Sequence, residues 1–228
     1  MISLFKKSNK YKYINPSKRY PDGEVEVDKW LVSDFVLEKL VPIVGVHPFP
    51  LDELMLMTTT VCWYSPDYIF EWGTHVGKAA RIFYEIKNTF KFNYIIYSID
   101  LPDSVKHIEH PGNNRGLFVR GIKDVNLILG DGLDESMKLI KKIGKRKKIL
   151  YFLDGDHSIT SVRRELATIS KNQPSATVLV HDTFYQVKKS GYNIGPHKSV
   201  QELLMKNKTY KLTNAELGLP GMSLLIPK

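Results

Sequence analysis

"YIFEWGTHVGKAARIFYEI", residues 68–86, decides how the rest of the chain is read. A short apolar run closes on an acid, Glu71. Two glycines, Gly73 and Gly77, follow, and apolar residues then recur at helical spacing. The pattern predicts a strand, a tight turn and a helix in immediate succession. Glycine lets the backbone turn sharply and come close to a ligand. A helix opening after Gly77 presents N–H groups that favour a carboxylate or phosphate. The spacing Glu-x-Gly-x-x-x-Gly differs from the Gly-x-Gly-x-x-Gly of dinucleotide binders, which disfavours a nicotinamide-dependent oxidoreductase. Glu71 would also repel a pyrophosphate. A ligand with both an ammonium and a carboxylate suits the stretch better.

The same alternation continues downstream. "YIIYSID" ends in Asp100, "VNLILGD" in Asp131, "KILYFLDGD" in Asp154 and Asp156, and "ATVLVHD" in His181 and Asp182. Helical patterns separate them, among them "LDESMKLIKKI", "SITSVRRELATIS" with a serine or threonine cap, and "HKSVQELLMKN". "LFVRGI" also reads as helical. Five strand-plus-helix steps imply a parallel sheet covered on both faces, with ligands outside the carboxyl ends of its strands. Each strand ends in an acid: Glu71, Asp100, Asp131, Asp154, Asp182. One such ending is ordinary turn chemistry. Five on one sheet edge point to a ligand. "YKLTNA" and "MSLLIPK" read as two late strands.

Upstream, residues 1–27 are polar and basic without clear periodicity and are expected to form a basic, flexible or loosely docked arm. Residues 28–65 read as a helical extension, broken at Pro48 and Pro50, and 66–228 as the main domain. Of the 228 residues, 43% are hydrophobic, enough for a sizeable core. The single cysteine, Cys62, excludes an intramolecular disulfide framework and sits in an apolar stretch, so packing is expected of it rather than reactivity. No run of about 18 apolar residues is present, so no membrane span is expected. The start of the chain is too short in apolar residues for a signal-peptide core, and a cytoplasmic location is the default expectation. The net charge of +9 is concentrated near the start and before residue 150; a solvated tail and a lysine-coated helix end explain it without nucleic acid.

From about residue 66 onward, roughly two-thirds of the chain, the sequence resembles class I S-adenosylmethionine-dependent methyltransferases. The carrying motifs are "FEWGTHVGKAA", "YSID", "LILGDGLD", "YFLDGDHSITSVRRELA" and "VLVHDTF". It looks closest to the branch holding the macrocin and rhamnosyl O-methyltransferases and the cephalosporin-hydroxylase-like proteins. The resemblance implies an α/β, Rossmann-like doubly wound sheet of seven mainly parallel strands with the last antiparallel. It implies that Glu71, Gly73, Thr74 and Gly77 form the loop under the methionine moiety. Asp100 would accept hydrogen bonds from the ribose, Gly130 and Asp131 would lie near the adenine, and Asp154 would complete the cofactor set. The plainer reading of Asp100 and Asp131 is turn chemistry or helix capping.

On the acceptor side, Asp154 and Asp182 are expected to face one another on neighbouring strands. Two carboxylates suit a hard divalent cation such as magnesium, which would lower the pKa of an acceptor hydroxyl. His181 stands where metal-dependent relatives usually carry a second acid or an amide beside this position; with Asp154 and Asp182 it makes a candidate ligand set, and imidazole suits zinc, iron or nickel better. The metal-free version uses His157 or His181 as general base, with Asp154 in the same catalytic set. The alternative reading of Asp154 and Asp156 is a cap on the following helix. "FYQVKKSGYNIGPHKS", residues 184–199, reads as a mobile lid, and Lys188, Lys189 and Lys198 in it hint at an acidic acceptor. These observations favour an O-methyltransferase acting on a hydroxyl of a small molecule or saccharide. An RNA methyltransferase and a non-catalytic binding module on the same fold are the alternatives. A homo-oligomer through the N-terminal helices is a further expectation.

Overall fold

The computed structural model describes residues 13–106, 111–144, 147–185, 191 and 193–228. A small antiparallel hairpin, β1 (Ser17–Arg19) and β2 (Val25–Val27), leads into α1 (Lys29–Phe35). A π-helical turn, Val36–Leu40, continues into α2 (Val41–Val44), and α3 (Leu51–Tyr64) follows. Asp28 caps α1, its carboxylate accepting from the Trp30 and Leu31 amides. The alternating part then runs β3 (Tyr68–Trp72), α4 (Lys78–Phe90), β4 (Ile95–Asp100), β5 (Val125–Leu129), α5 (Gly132–Ile143), β6 (Ile149–Leu153), α6 (Ile159–Asn172), β7 (Thr177–His181), α7 (Ile194–Lys206), β8 (Tyr210–Ala215) and β9 (Met222–Pro227).

The large sheet has seven strands in the order β5-β4-β3-β6-β7-β9-β8. Pairings from β5 to β7 are parallel, and β9 is antiparallel to both its neighbours. This is the doubly wound architecture expected. The strand order reverses between β3 and β6, and at such a switch point the loops diverge and leave a crevice.

Alternate residues of each strand feed two cores, as the pleat requires. Ile69, Ile96, Phe152, Leu179 and Leu224 pack on one face with Phe35, Leu40, Leu54, Met57 and Val61 of the N-terminal helices and with α4. Phe70, Ile99, Tyr151, Leu153 and Val178 pack on the other with Leu133, Leu166, Ile169 and Val200 of α5, α6 and α7. The N-terminal helices are thus one layer of the sheet's own core.

Residues 1–12 of the basic arm lie outside the described residues. Within the rest of that arm, residues 17–27 form the hairpin. The Ser17 hydroxyl donates to the Cys62 carbonyl (2.5 Å) and Arg19 to that of Trp63 (3.3 Å), so the hairpin is held on the end of α3. Three-residue strands are too short to leave a periodicity signal. The stretch expected to be helical at 117–122 is a single 3₁₀ turn, Leu117–Val119. Cys62 is buried, as expected, and burial pushes its thiol up. Among the described residues no helix is long and apolar enough to cross a membrane.

Candidate active site

A cavity of about 970 Å³ runs along the carboxyl edge of the sheet, across the switch point. It reaches from Asp100 and Asp131 at one end to Asp154, His157 and Asp182 at the other. Four of the five acids expected at strand ends therefore face one hollow.

The fifth, Glu71, is placed otherwise, which corrects the expectation of a ligand-facing carboxylate. Its side chain is 0% exposed and points beneath the loop, where Oε1 accepts the Ala80 amide in the first turn of α4 (3.1 Å). Burial pushes it up to about 8, outweighing the Ser98 hydroxyl beside it, and the negative charge of Asp154 acts in the same direction. Thr74 is also buried, its hydroxyl 2.6 Å from that of Ser98. Glu71, Thr74 and Gly77 thus support the loop, while Gly73, His75 and Val76 line the cavity.

Gly73 has φ 93°, and a Cβ there would fall 2.0 Å from the Asp154 carbonyl oxygen. Only glycine lets the β3 loop pass this close to the end of β6. Gly132 is equally constrained, since a Cβ would meet the Trp72 ring at 2.4 Å. Trp72 in turn donates from Nε1 to the Ser136 hydroxyl (2.7 Å), which fixes the indole under the start of α5.

Asp100 accepts from the amides of His75 (3.1 Å) and Leu101 (2.9 Å) and from Arg115 Nε (3.2 Å). Arg115 also pairs with Asp103 and donates to the Leu101 carbonyl, so it ties the insert after β4 to the site. Asp131 is the N-cap of α5, accepting the Asp134 amide (3.0 Å), and its other oxygen meets Arg164 (2.6 Å). Burial would raise Asp131, but Arg164 and the capped amide outweigh it and hold the carboxyl below its usual range. The capping role and the cavity-lining role coexist in this residue. Gly130, φ 159°, also lines the cavity.

At the other end the side chains form a connected cluster. His181 Nδ1 lies 2.8 Å from Asp154 Oδ1 and 3.3 Å from Asp182 Oδ2, and His181 Nε2 lies 3.1 Å from Glu53 Oε2. His157 Nε2 is 2.8 Å from Asp182 Oδ2 and 4.0 Å from Asp154 Oδ1. Burial opposes a charged imidazole at both histidines, yet the surrounding carboxylates win and raise both. Asp182 is correspondingly lowered, burial being outweighed by the two histidines. Asp182 also has φ 56°, a left-handed conformation at the strand end that is uncommon outside glycine and asparagine.

One ligand atom each from Asp154, His157 and Asp182 lies within 4.8 Å of the others. Two carboxylates and an imidazole are a donor set that fits a divalent cation. The expected set had His181 in place of His157, but both ring nitrogens of His181 face carboxylates. Asp156 takes the capping role, accepting from the Ser158 amide (2.8 Å) and hydroxyl (2.9 Å), while Ser158 caps α6.

Seven further lining residues were given no site role by the sequence. Glu165 of α6 lines the cavity, and burial pushes it up to about 7. Lys78 donates to the His47 carbonyl (2.6 Å) and joins the α2–α3 loop to the start of α4. Val46, Pro48, Pro50, Leu219 and Pro220 make an apolar rim on that side. Residues 186–190 and 192 of the expected lid, including Lys188 and Lys189, lie outside the described residues, whereas Lys198 is on α7.

No family model matches the sequence, and no curated protein matches it. Solved structures do resemble it. The SAH-bound Podospora anserina methyltransferase PaMTH1 has a TM-score of 0.55 at 16% identity, covering 86% of this chain and 88% of that one. The Bacillus cereus O-methyltransferase in complex with SAH has a TM-score of 0.55 at 13% identity, over 86% and 90%. A methyltransferase from Geobacter sulfurreducens has a TM-score of 0.53 at 16% identity, over 89% of each chain. At such identities the likeness is one of architecture, and the fold is that of the class I methyltransferases.

Proposed function

We propose that the protein is an S-adenosylmethionine-dependent O-methyltransferase acting on a hydroxyl of a small molecule or saccharide. The observation that carries this reading is the single cavity joining Asp100 and Asp131 to the cluster of Asp154, His157 and Asp182. When bound, S-adenosylmethionine supplies an electrophilic methyl on a sulfonium. Asp100 would accept from its ribose hydroxyls, and Gly130 and Gly132 keep the backbone low beneath the adenine, beside Trp72. The glycine loop and the first amides of α4 favour its methionine carboxylate.

The acceptor hydroxyl would dock at the opposite end, where Asp154 lines the cavity and is placed to accept its proton. Asp154, His157 and Asp182 would hold a divalent cation, whose chemistry is to lower the pKa of that hydroxyl. Catalysis then comes mainly from alignment, since oriented reactants in one pocket gain far more than proton transfer alone. The apolar rim excludes water around the reacting groups. Calorimetry with S-adenosylhomocysteine, followed by a methyl-transfer screen of phenols, sugars and glycosides, tests the reading. Absence of S-adenosylhomocysteine binding overturns it.

A further inference from the structure

Glu53 is out of place in its helix. It is 1% exposed on α3, whose other buried residues are Leu54, Met57, Val61, Cys62 and the uncharged Thr58 and Thr60. A buried carboxylate contributes little to stability that an apolar residue of similar volume would not match or exceed. Its partner is His181, 128 positions away in the chain, whose ring is 3% exposed and lies against Phe49 with centroids 4.8 Å apart. The ring is therefore held on three sides: Glu53 on Nε2, Asp154 and Asp182 on Nδ1, and Phe49 on its face.

We propose that Glu53 is a positioning residue for the cation site: acting through His181, it fixes the carboxylate of Asp154 beside Asp182 and His157. The inference rests on the cation reading above. Ligating side chains are commonly held by hydrogen-bonded partners behind them, and the His181 contact with Asp154 (2.8 Å), itself backed by Glu53 on the far ring nitrogen (3.1 Å), is such a support. The arrangement places the determinant of cation affinity on α3, outside the alternating part of the fold.

The test is calorimetry of the full chain with Mn²⁺. The wild type is expected to bind one ion per chain, and Glu53→Leu, of comparable volume but without an acceptor for His181, is expected to weaken binding by about 10- to 100-fold. His181→Phe should weaken it to a similar degree. The double variant should bind no more weakly than His181→Phe alone, because both substitutions cut the same link. A purely structural role for Glu53 would lower thermal stability without producing this non-additivity. The inference is overturned if the wild type binds no Mn²⁺, if Glu53→Leu binds it as tightly as the wild type, or if the two losses add. S-adenosylhomocysteine affinity measured on the same samples reports separately on the cofactor reading.

Discussion

Glu71 offers a sharp test of the electrostatics beneath the glycine loop. The substitution is Glu71→Gln, which keeps the side-chain volume and the acceptor for the Ala80 amide while removing the titration. In the folded chain burial pushes this carboxyl from 4.5 up to about 8. An acid raised on folding is a group the folded state prefers neutral. Its contribution to stability is fully present below pH 4.5 and is lost as pH rises through the folded value, because the unfolded chain gives up the proton first. One unit corresponds to about 1.4 kcal/mol, so the wild type should lose about 3–5 kcal/mol across this window from this group alone. Urea unfolding of both proteins, followed by circular dichroism from pH 5 to pH 8.5, isolates the effect, because every other group titrates alike in the two. The variant should be similar to the wild type or slightly weaker at pH 5 and clearly more stable at pH 8.5. A stability difference that stays constant with pH would show that Glu71 is ionised in the folded protein, and the reasoning would fail.

Other substitutions probe the cavity wall. Gly73→Ala places a methyl group 2.0 Å from the Asp154 carbonyl at a positive φ, and should cost about 2–4 kcal/mol in thermal or urea unfolding. Asp100→Asn should leave the fold intact and weaken S-adenosylhomocysteine binding by roughly 10- to 100-fold in calorimetry, the range expected for a lost charge-assisted hydrogen bond. Arg164→Ala breaks a half-exposed pair with Asp131 and should change stability by less than about 1 kcal/mol. By contrast, Gly132→Ala, which meets the Trp72 ring, should cost about 1–3 kcal/mol in the same unfolding assay.

What could be read from the sequence follows from which signals are local. Strands β3, β6 and β7 were legible because nearly all of their residues are buried, so each reads as an apolar run, and the more exposed β4 and edge strand β5 because an apolar run is closed by an acid in each case. Asp100, Asp131, Asp154, His157, His181 and Asp182 were brought together by topology alone, since parallel strands deliver their ends to one edge. Glu71 was misread because pattern places a strand-end residue at the correct height without saying whether its side chain turns up to the cavity or down under the helix. Glu53 was invisible for another reason: "LDEL" at a helix start looks like an ordinary acidic first turn, and only the pairing with a residue on β7 reveals its burial. Arg115 lies in a polar insert with no periodicity, and its role depends on the fold returning it to Asp100.

The shared core between the N-terminal helices and the sheet has a consequence for how such a chain can vary. Cutting before residue 66 would remove the helices that share one face of the sheet with α4 and open the core around Ile69, Phe152, Leu179 and Leu224 to water. The same segment shapes the entrance through Val46, Pro48 and Pro50. On the proposed function, selectivity for a substrate and the ability to fold share one stretch of polypeptide, so a new preference acquired there must be one that the hydrophobic interior also tolerates.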